Sequence, residues 1–357
     1  MEKDTKSCFT SAMQLEGGKN IPQRYILPPL QRPNINNNDF SSSSSSTTII
    51  PVIDLSLLND PLTRSQTINE IRSACDKLGI FQVINHGMPI SVMEDALAIS
   101  KEFFQLPSEE KMKFASGNVH DPVRYGTSMN HVRDNVFCWR DFLKHYANPI
   151  SEWSHTWPLN PPGYRQKLGS YAKAVHLLQT QLMRGVIESL AGVKNADYLD
   201  DDIKQGSQLM VLNYYPSCPE PDLALGMQAH TDFGTMTILN RTEPGLEFMD
   251  VMTGTWHPVS SIQGGLVVLL GDQTEIMSNG KYKSLIHRAT VNMERTRLSI
   301  ASIHSLPIQK KVGPILDLVN SQHPIAYKEG SFGEFLDHIS ANSLGGTKYI
   351  DTLKIPR

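Results

Sequence analysis

The sequence predicts an α+β, mainly β fold in which a double-stranded β-helix (jelly-roll) core follows a helix-rich N-terminal half. Three observations carry that prediction. From about Gln208 the chain breaks into short apolar runs, "LMVLNYY", "TMTILNR", "GLEFMDV", "TWHPVS", "GLVVLLGD", "YKSLIHRATVN" and "RLSIASIHSL", punctuated by Gly, Pro or Asn, the pattern of a sandwich or barrel. Upstream, over residues 49–205, apolar residues recur mostly at helical spacing. With 357 residues, 39 % of them hydrophobic, the chain can bury a full core.

Residues 1–48 end in "NINNNDFSSSSSSTT", a composition that cannot bury enough apolar surface to offset its ordering entropy, so this segment is expected to be flexible, with Ser41–Thr48 a linker. The folded body should begin near Ile49 with the β-branched strand "IIPVIDLS". Residues 62–79 carry Leu62, Ile68, Ile71, Cys75 and Leu78 at roughly helical spacing and stop at Gly79. A strand, "IFQVINHG", follows, then a helix over 89–107 that ends at Pro107, and a long amphipathic stretch from Gly163 to Leu190. The expected divisions are 1–48 (flexible), 49–205 (helix-rich), 206–310 (jelly-roll core) and 311–357 (C-terminal helical segment and tail).

A formal charge of −3 supplies no basic field for nucleic acid or an anionic membrane, so the expected partner is a small molecule. The four cysteines are widely spaced, which argues against a disulfide framework and for a reducing compartment. The first residues lack a signal-peptide core and nowhere do about 18 apolar residues run together. A cytoplasmic monomer, off the membrane, is expected.

"MQAHTDFGTMTIL" (227–239) sets a histidine and an aspartate two positions apart in a run that otherwise reads as strand. In an extended strand residues i and i+2 share a face, so His230 and Asp232 would project together. His287, in another expected strand, can add a second imidazole, and two histidines with one carboxylate form the facial triad of non-haem Fe(II) oxygenases. Among twelve histidines an isolated HxD is unremarkable; its neighbours give it meaning. In "RTRLSIASIH", Arg297 and Ser299 again share a strand face, and a guanidinium aimed into a barrel without a partner costs several kcal/mol, so an anion is wanted there.

With the paired tyrosines of "NYYPSCP" added, the order of motifs resembles the plant 2-oxoglutarate- and Fe(II)-dependent dioxygenases, which include flavonoid, gibberellin, salicylate and alkaloid oxidases. "IPVIDLS", "GIFQVINHG", "EFFQLP", "NYYPSCP", "HTDFGTMTIL", "GLVVLLGD", "SNGKYKSLIHRA" and "RLSIASIH" stand in that family's order across nearly the whole folded body. The resemblance implies His230, Asp232 and His287 as iron ligands, Arg297 with Ser299 as the clamp on the distal carboxylate of 2-oxoglutarate, and Tyr215 and Asn213 as assistants. It also implies O2 as cosubstrate, ascorbate as reductant, and release of succinate and CO2. Hydroxylation, desaturation, demethylation and ring closure all stay open, whereas halogenation, which in related enzymes needs a small residue in place of the carboxylate, is disfavoured by Asp232.

The substrate shell implied by the resemblance comprises Tyr125, Phe137, Trp139, Val211, Phe233, Ile303 and Ser305. Flavonoid-oxidising relatives commonly carry a lysine where this chain has Val211 and an aromatic where it has Ile303, which argues for another small metabolite, a salicylate- or gibberellin-type hormone included. A zinc hydrolase would give no reason for the Arg297 and Ser299 pair. A binding protein that had lost its chemistry would be expected to lack a ligand or the arginine, and none is missing.

Overall fold

The computed structural model describes residues 9–33, 49–129, 134–190, 193, 197–251, 253–342 and 346–356. The strands are β1 (Val52–Asp54), β2 (Ile80–Ile84), β3 (Val123–Thr127), β4 (Asp141–Asn148), β5 (Gln208–Tyr215), β6 (Met227–His230), β7 (Met236–Arg241), β8 (Leu246–Asp250), β9 (Thr255–Pro258), β10 (Leu266–Leu270), β11 (His287–Ala289) and β12 (Arg297–His304). The helices are α1 (Arg64–Lys77), α2 (Ile90–Gln105), α3 (Ser108–Met112), α4 (Ile150–Trp153), α5 (Tyr164–Ser189), α6 (Asp200–Lys204), α7 (Asp272–Met277), α8 (Phe332–Ala341) and α9 (Tyr349–Leu353).

An eight-stranded sheet, in the order β1-β2-β10-β7-β12-β5-β4-β3, faces a four-stranded sheet, β6-β11-β8-β9. Strand β10 shows why such a run reads as continuously apolar. Leu266, Val268 and Leu270 belong to the core shared with the helices, while Val267 and Leu269 join Leu239, Leu246 and Phe248 between the sheets. A strand buried on both faces has no polar face to show. The helical layer follows from 3.6-residue spacing: α5 buries Leu168, Tyr171, Val175, Leu178, Leu182 and Val186, and α2 buries Met93, Ala96, Ile99 and Phe103. Helix α1 ends at Gly79, whose φ of +70° and whose N–H bond to Ala74 O close it; a Cβ there would meet Lys283 O at 2.6 Å.

The structure corrects the expected organisation in three places. Residues 49–205 are helix-rich but also supply β1–β4, half of the large sheet, so no boundary near 205 separates two bodies. Strand β4, "DFLKHYAN", was hidden because Asp141, Lys144 and His145 interrupt its apolar pattern, yet all three are buried. The N-terminal stretch is not wholly flexible: residues 9–33 form three 3-10 turns, with Ala12, Ile21, Tyr25 and Leu27 buried. The Ala12 and Met13 N–H groups donate to the Asp141 carboxylate at 2.8 and 3.0 Å, anchoring that a composition average cannot reveal. The expected linker Ser41–Thr48 lies outside the described residues. Finally, the strand expected to carry both His230 and Asp232 ends before Asp232, because β6 stops at His230 and β7 starts only at Met236.

Helices α8 and α9 fold back towards the body in the region expected to be helical, and among the described residues no helix is long and apolar enough to cross a membrane.

Candidate metal centre and substrate cavity

His230 closes β6 and His287 opens β11, and the two are register partners across the antiparallel pair. That pairing sets their imidazole centroids 4.2 Å apart. Asp232 arrives differently from the expected strand alternation: it lies in the loop after β6, held by the Asp272 N–H that donates to its carbonyl at 2.8 Å. Its Oδ1 is 3.4 Å from His230 Nε2 and its Oδ2 is 3.8 Å from His287 Nε2. One ligand atom from each residue lies within 4.8 Å of the others.

Both rings are oriented from behind. His230 Nδ1 sits 2.8 Å from Gln228 O and His287 Nδ1 sits 3.1 Å from Leu285 O. A carbonyl only accepts, so each Nδ1 carries the proton and each Nε2 turns a lone pair towards the centre. The Thr237 hydroxyl donates to Asp232 Oδ2 at 2.6 Å. Burial works to raise the Asp232 pKa, but in the acid range where the imidazoles are protonated, their charges and the hydrogen bonds from His230 and Thr237 outweigh it and hold the carboxyl well below its usual range. Burial, reinforced by His230, pushes His287 down to about 4, leaving it neutral near pH 7. Two imidazole nitrogens and a carboxylate on one side of a cavity fit the donor set of a facial Fe(II) site.

Strands β12 and β5 pair Arg297 with Tyr215 and Ser299 with Asn213. Asn213 Nδ2 donates to Ser299 Oγ at 3.3 Å, and Arg140 Nη1 donates to Asn213 Oδ1 at 2.9 Å. The Arg297 guanidinium lies 4.7 Å from the Tyr215 ring centroid and its Nε donates to Glu243 O at 3.2 Å. Arg297 is only 6 % exposed, and its buried Nη1 has no protein partner. A buried, unpaired guanidinium N–H facing the same cavity as the three ligands is a seat for an anion.

The cavity between the sheets, about 470 Å³, is lined by Val211, Phe233 and Ile303 as well as by the metal and arginine groups. Phe233 stacks on Phe335 of α8, ring centroids 4.9 Å apart, and meets Tyr349 of α9 edge-on at 4.9 Å, so the C-terminal helices wall this end. The other four expected pocket residues do not line it. Tyr125 packs into the helical core near Phe9 and Phe103, because on β3 its neighbour Arg124 takes the cavity face. Trp139 packs on Tyr25 of the N-terminal stretch, its indole N–H donating to Pro216 O, and Phe137 meets the same Tyr25 edge-on. Ser305, past the end of β12, donates to Leu306 O. In their place stand Arg124, Arg140, Phe142 and Lys144. A period of two over Arg140, Phe142 and Lys144 was the available signal.

Residues 50–162 match the family described as the N-terminal region of non-haem dioxygenase in morphine synthesis, and residues 206–305 match the 2OG-Fe(II) oxygenase superfamily. Flavanone 3-dioxygenase 3 of Oryza sativa subsp. japonica is 41 % identical over 82 % of this chain and 89 % of its own length. Protein DMR6-LIKE OXYGENASE 1 of Arabidopsis thaliana is 35 % identical over 94 % of each chain. The crystal structure of JOX2 in complex with 2OG, Fe and JA superposes with a TM-score of 0.84 at 28 % identity, covering 98 % of this chain and 99 % of that one. The chain therefore belongs to the 2-oxoglutarate- and Fe(II)-dependent oxygenase superfamily, among the plant dioxygenases that oxidise small molecules.

Proposed function

We propose that His230, Asp232 and His287 hold Fe(II), and that Arg297 with Ser299 binds the distal carboxylate of 2-oxoglutarate, assisted by Tyr215 and Asn213. The substrate is a small specialised metabolite or hormone seated against Val211, Phe233 and Ile303. The observation that carries this reading is the unpaired Nη1 of the buried Arg297, which opens on the cavity that also holds the three candidate ligands. Iron bound there supplies O2 activation coupled to decarboxylation of the 2-oxo acid, yielding succinate and CO2.

The chain's own groups orient and shield. The Gln228 and Leu285 carbonyls fix the imidazole tautomers, and Thr237 fixes the Asp232 rotamer. Tyr215 supports the Arg297 plane from one side, leaving its fork free for a bidentate carboxylate. Phe233, Phe335 and Tyr349 exclude water from the substrate end. Ascorbate as reductant and a monomer working in the cytoplasm complete the proposal, in keeping with a weakly charged chain whose described cysteines are buried and free.

Anaerobic titration with Fe(II) and 2-oxoglutarate tests it: a weak visible charge-transfer band at one equivalent is expected, followed by succinate release on admitting O2. Zinc-supported hydrolysis with no band would overturn the assignment, and binding of both without succinate would leave a binding protein.

A further inference from the structure

Where β3 and β4 line the cavity, one corner collects positive charge from Arg124, Arg140 and Lys144, of which only Arg140 touches a residue assigned to 2-oxoglutarate, through its bond to Asn213. Strands β3 and β4 pair Arg124 with Lys144, and β4 pairs Lys144 with Val211 of β5, so one row across the sheet runs from two cations to the apolar wall. Phe142 holds Arg124 and Arg140 over its ring at 5.1 and 4.9 Å. All three cations line the cavity and are nearly buried, at 3 % exposure for Arg124 and 6 % each for Arg140 and Lys144.

Their partners are almost all neutral. Arg124 donates to Ser116 O and Met129 O, Arg140 to Ser128 O and Asn213 Oδ1, and Lys144 to Val119 O. Arg140 Nε is buried without a protein partner. Two carboxylates act on this corner: Asp134, a cavity-lining residue whose Oδ2 accepts from Ser128 Oγ and the Met129 N–H, attracts Arg124, and Asp121 attracts both Arg124 and Lys144, so three cations face two anions. Burial, with repulsion from Arg124, pushes the Lys144 pKa down to about 7 against the attraction of Asp121, and burial, with Arg140 nearby, pushes Arg124 down to about 10 against that of Asp134 and Asp121.

Resting on the proposed dioxygenase reading, we propose that the Arg124, Arg140 and Lys144 corner binds the carboxylate of the substrate, which is therefore a small organic acid with an apolar or aromatic body. The body lies along Val211 and Ile303 towards the metal centre, and the acid group replaces the missing counter-charge. A phosphorylated or polyanionic substrate fits less well, because beyond this corner the wall turns apolar at Leu209, Val211, Leu239 and Ile303. A second carboxylate source is 2-oxoglutarate itself, and the experiment separates the two.

The probes are benzoate, phenylacetate, trans-cinnamate and hexanoate, each beside its primary amide, titrated anaerobically into protein loaded with Fe(II) and 2-oxoglutarate. Binding is read from the perturbed visible band and from the melting temperature. At least one acid should bind about tenfold or more tightly than its amide, the scale of one charge-assisted contact. That preference should collapse in Lys144→Met and in Arg140→Gln, two independent variants whose folding the melting temperature checks. The proposal is overturned if no acid is preferred over its amide, if the preference survives in Lys144→Met, which touches no residue assigned to the cosubstrate, or if Lys144→Met or Arg140→Gln weakens 2-oxoglutarate as much as the acids, which would give the corner to the cosubstrate. Wild-type protein that gives no band with Fe(II) and 2-oxoglutarate would instead sink the dioxygenase reading, and this proposal with it.

Discussion

Replacing Arg297 by alanine should weaken 2-oxoglutarate without unfolding the protein. The guanidinium is nearly buried, braced by Glu243 O and the Tyr215 ring, and turns an unpaired Nη1 to the cavity. A cosubstrate carboxylate received there would be half of a buried charged pair, and deleting one member of such a pair costs about 3 to 5 kcal/mol. At about 1.4 kcal/mol per decade, affinity should fall by roughly 10² to 4 × 10³. In the absence of 2-oxoglutarate the loss is small, since the deleted group has an unsatisfied donor in the free protein. A thermal-shift assay reads both quantities. At a concentration near 100 times the wild-type Kd, ligand stabilises the folded state by about 2.7 kcal/mol, which shrinks to about 0.4 or less once Kd has risen a hundredfold. Arg297→Lys should recover only part of the shift, because an ammonium keeps the charge but not the fork. Wild-type 2-oxoglutarate affinity in the alanine variant would refute the reasoning and move the carboxylate elsewhere.

Ile303→Ala, on the cavity face of β12, should remove apolar contact worth about 1 to 3 kcal/mol and lower kcat/KM for the true substrate by roughly 10 to 200-fold, with uncoupled 2-oxoglutarate decay near wild type; an unaltered coupling ratio with a large drop in melting temperature would make it a core residue instead. Deleting residues 1–33 should destabilise the protein by about 3 kcal/mol or more, because the buried Asp141 carboxylate loses the Ala12 and Met13 N–H groups. Urea denaturation checks this, and an unchanged midpoint would show that the turns only decorate the surface. His145 is fully buried against Trp157, and burial lowers its pKa from 6.5 to about 3. The folded state then binds fewer protons than the unfolded one between these values, so this contribution to stability is complete above pH 6.5 and lost as pH falls towards 3, by about 2 kcal/mol at pH 5. His145→Gln should flatten the difference between denaturation at pH 7 and pH 5, and a slope equal to wild type would mean that His145 titrates normally in the folded protein.

Local chemistry determined much of this protein from its sequence alone. The 3.6-residue spacing of α1, α2 and α5 specified most of the faces that pack, although Leu62, expected at the start of α1, lies ahead of Arg64 and is exposed, and the turn residues between short apolar runs specified strands β5 to β12. The even step from Arg297 to Ser299 put both on one face, where the structure has them. What failed in the sequence were statements about partners far along the chain. Whether Tyr125 or Arg124 turns inward depends on which face of β3 the helices cover, and nothing within β3 states that. Trp139 was claimed by Tyr25, more than a hundred residues earlier, through an N-terminal stretch whose composition averages to disorder although a few apolar anchors and two N–H groups tie it down. Asp232 meets His230 and His287 through a loop held by Asp272 rather than through strand alternation. The buried cations of β3 and β4 read as surface residues because a local pattern assigns charge to solvent, and only the closure of one sheet over the other makes their side an interior. Periodicity fixes direction relative to the element itself, whereas burial is a property of the assembled layers.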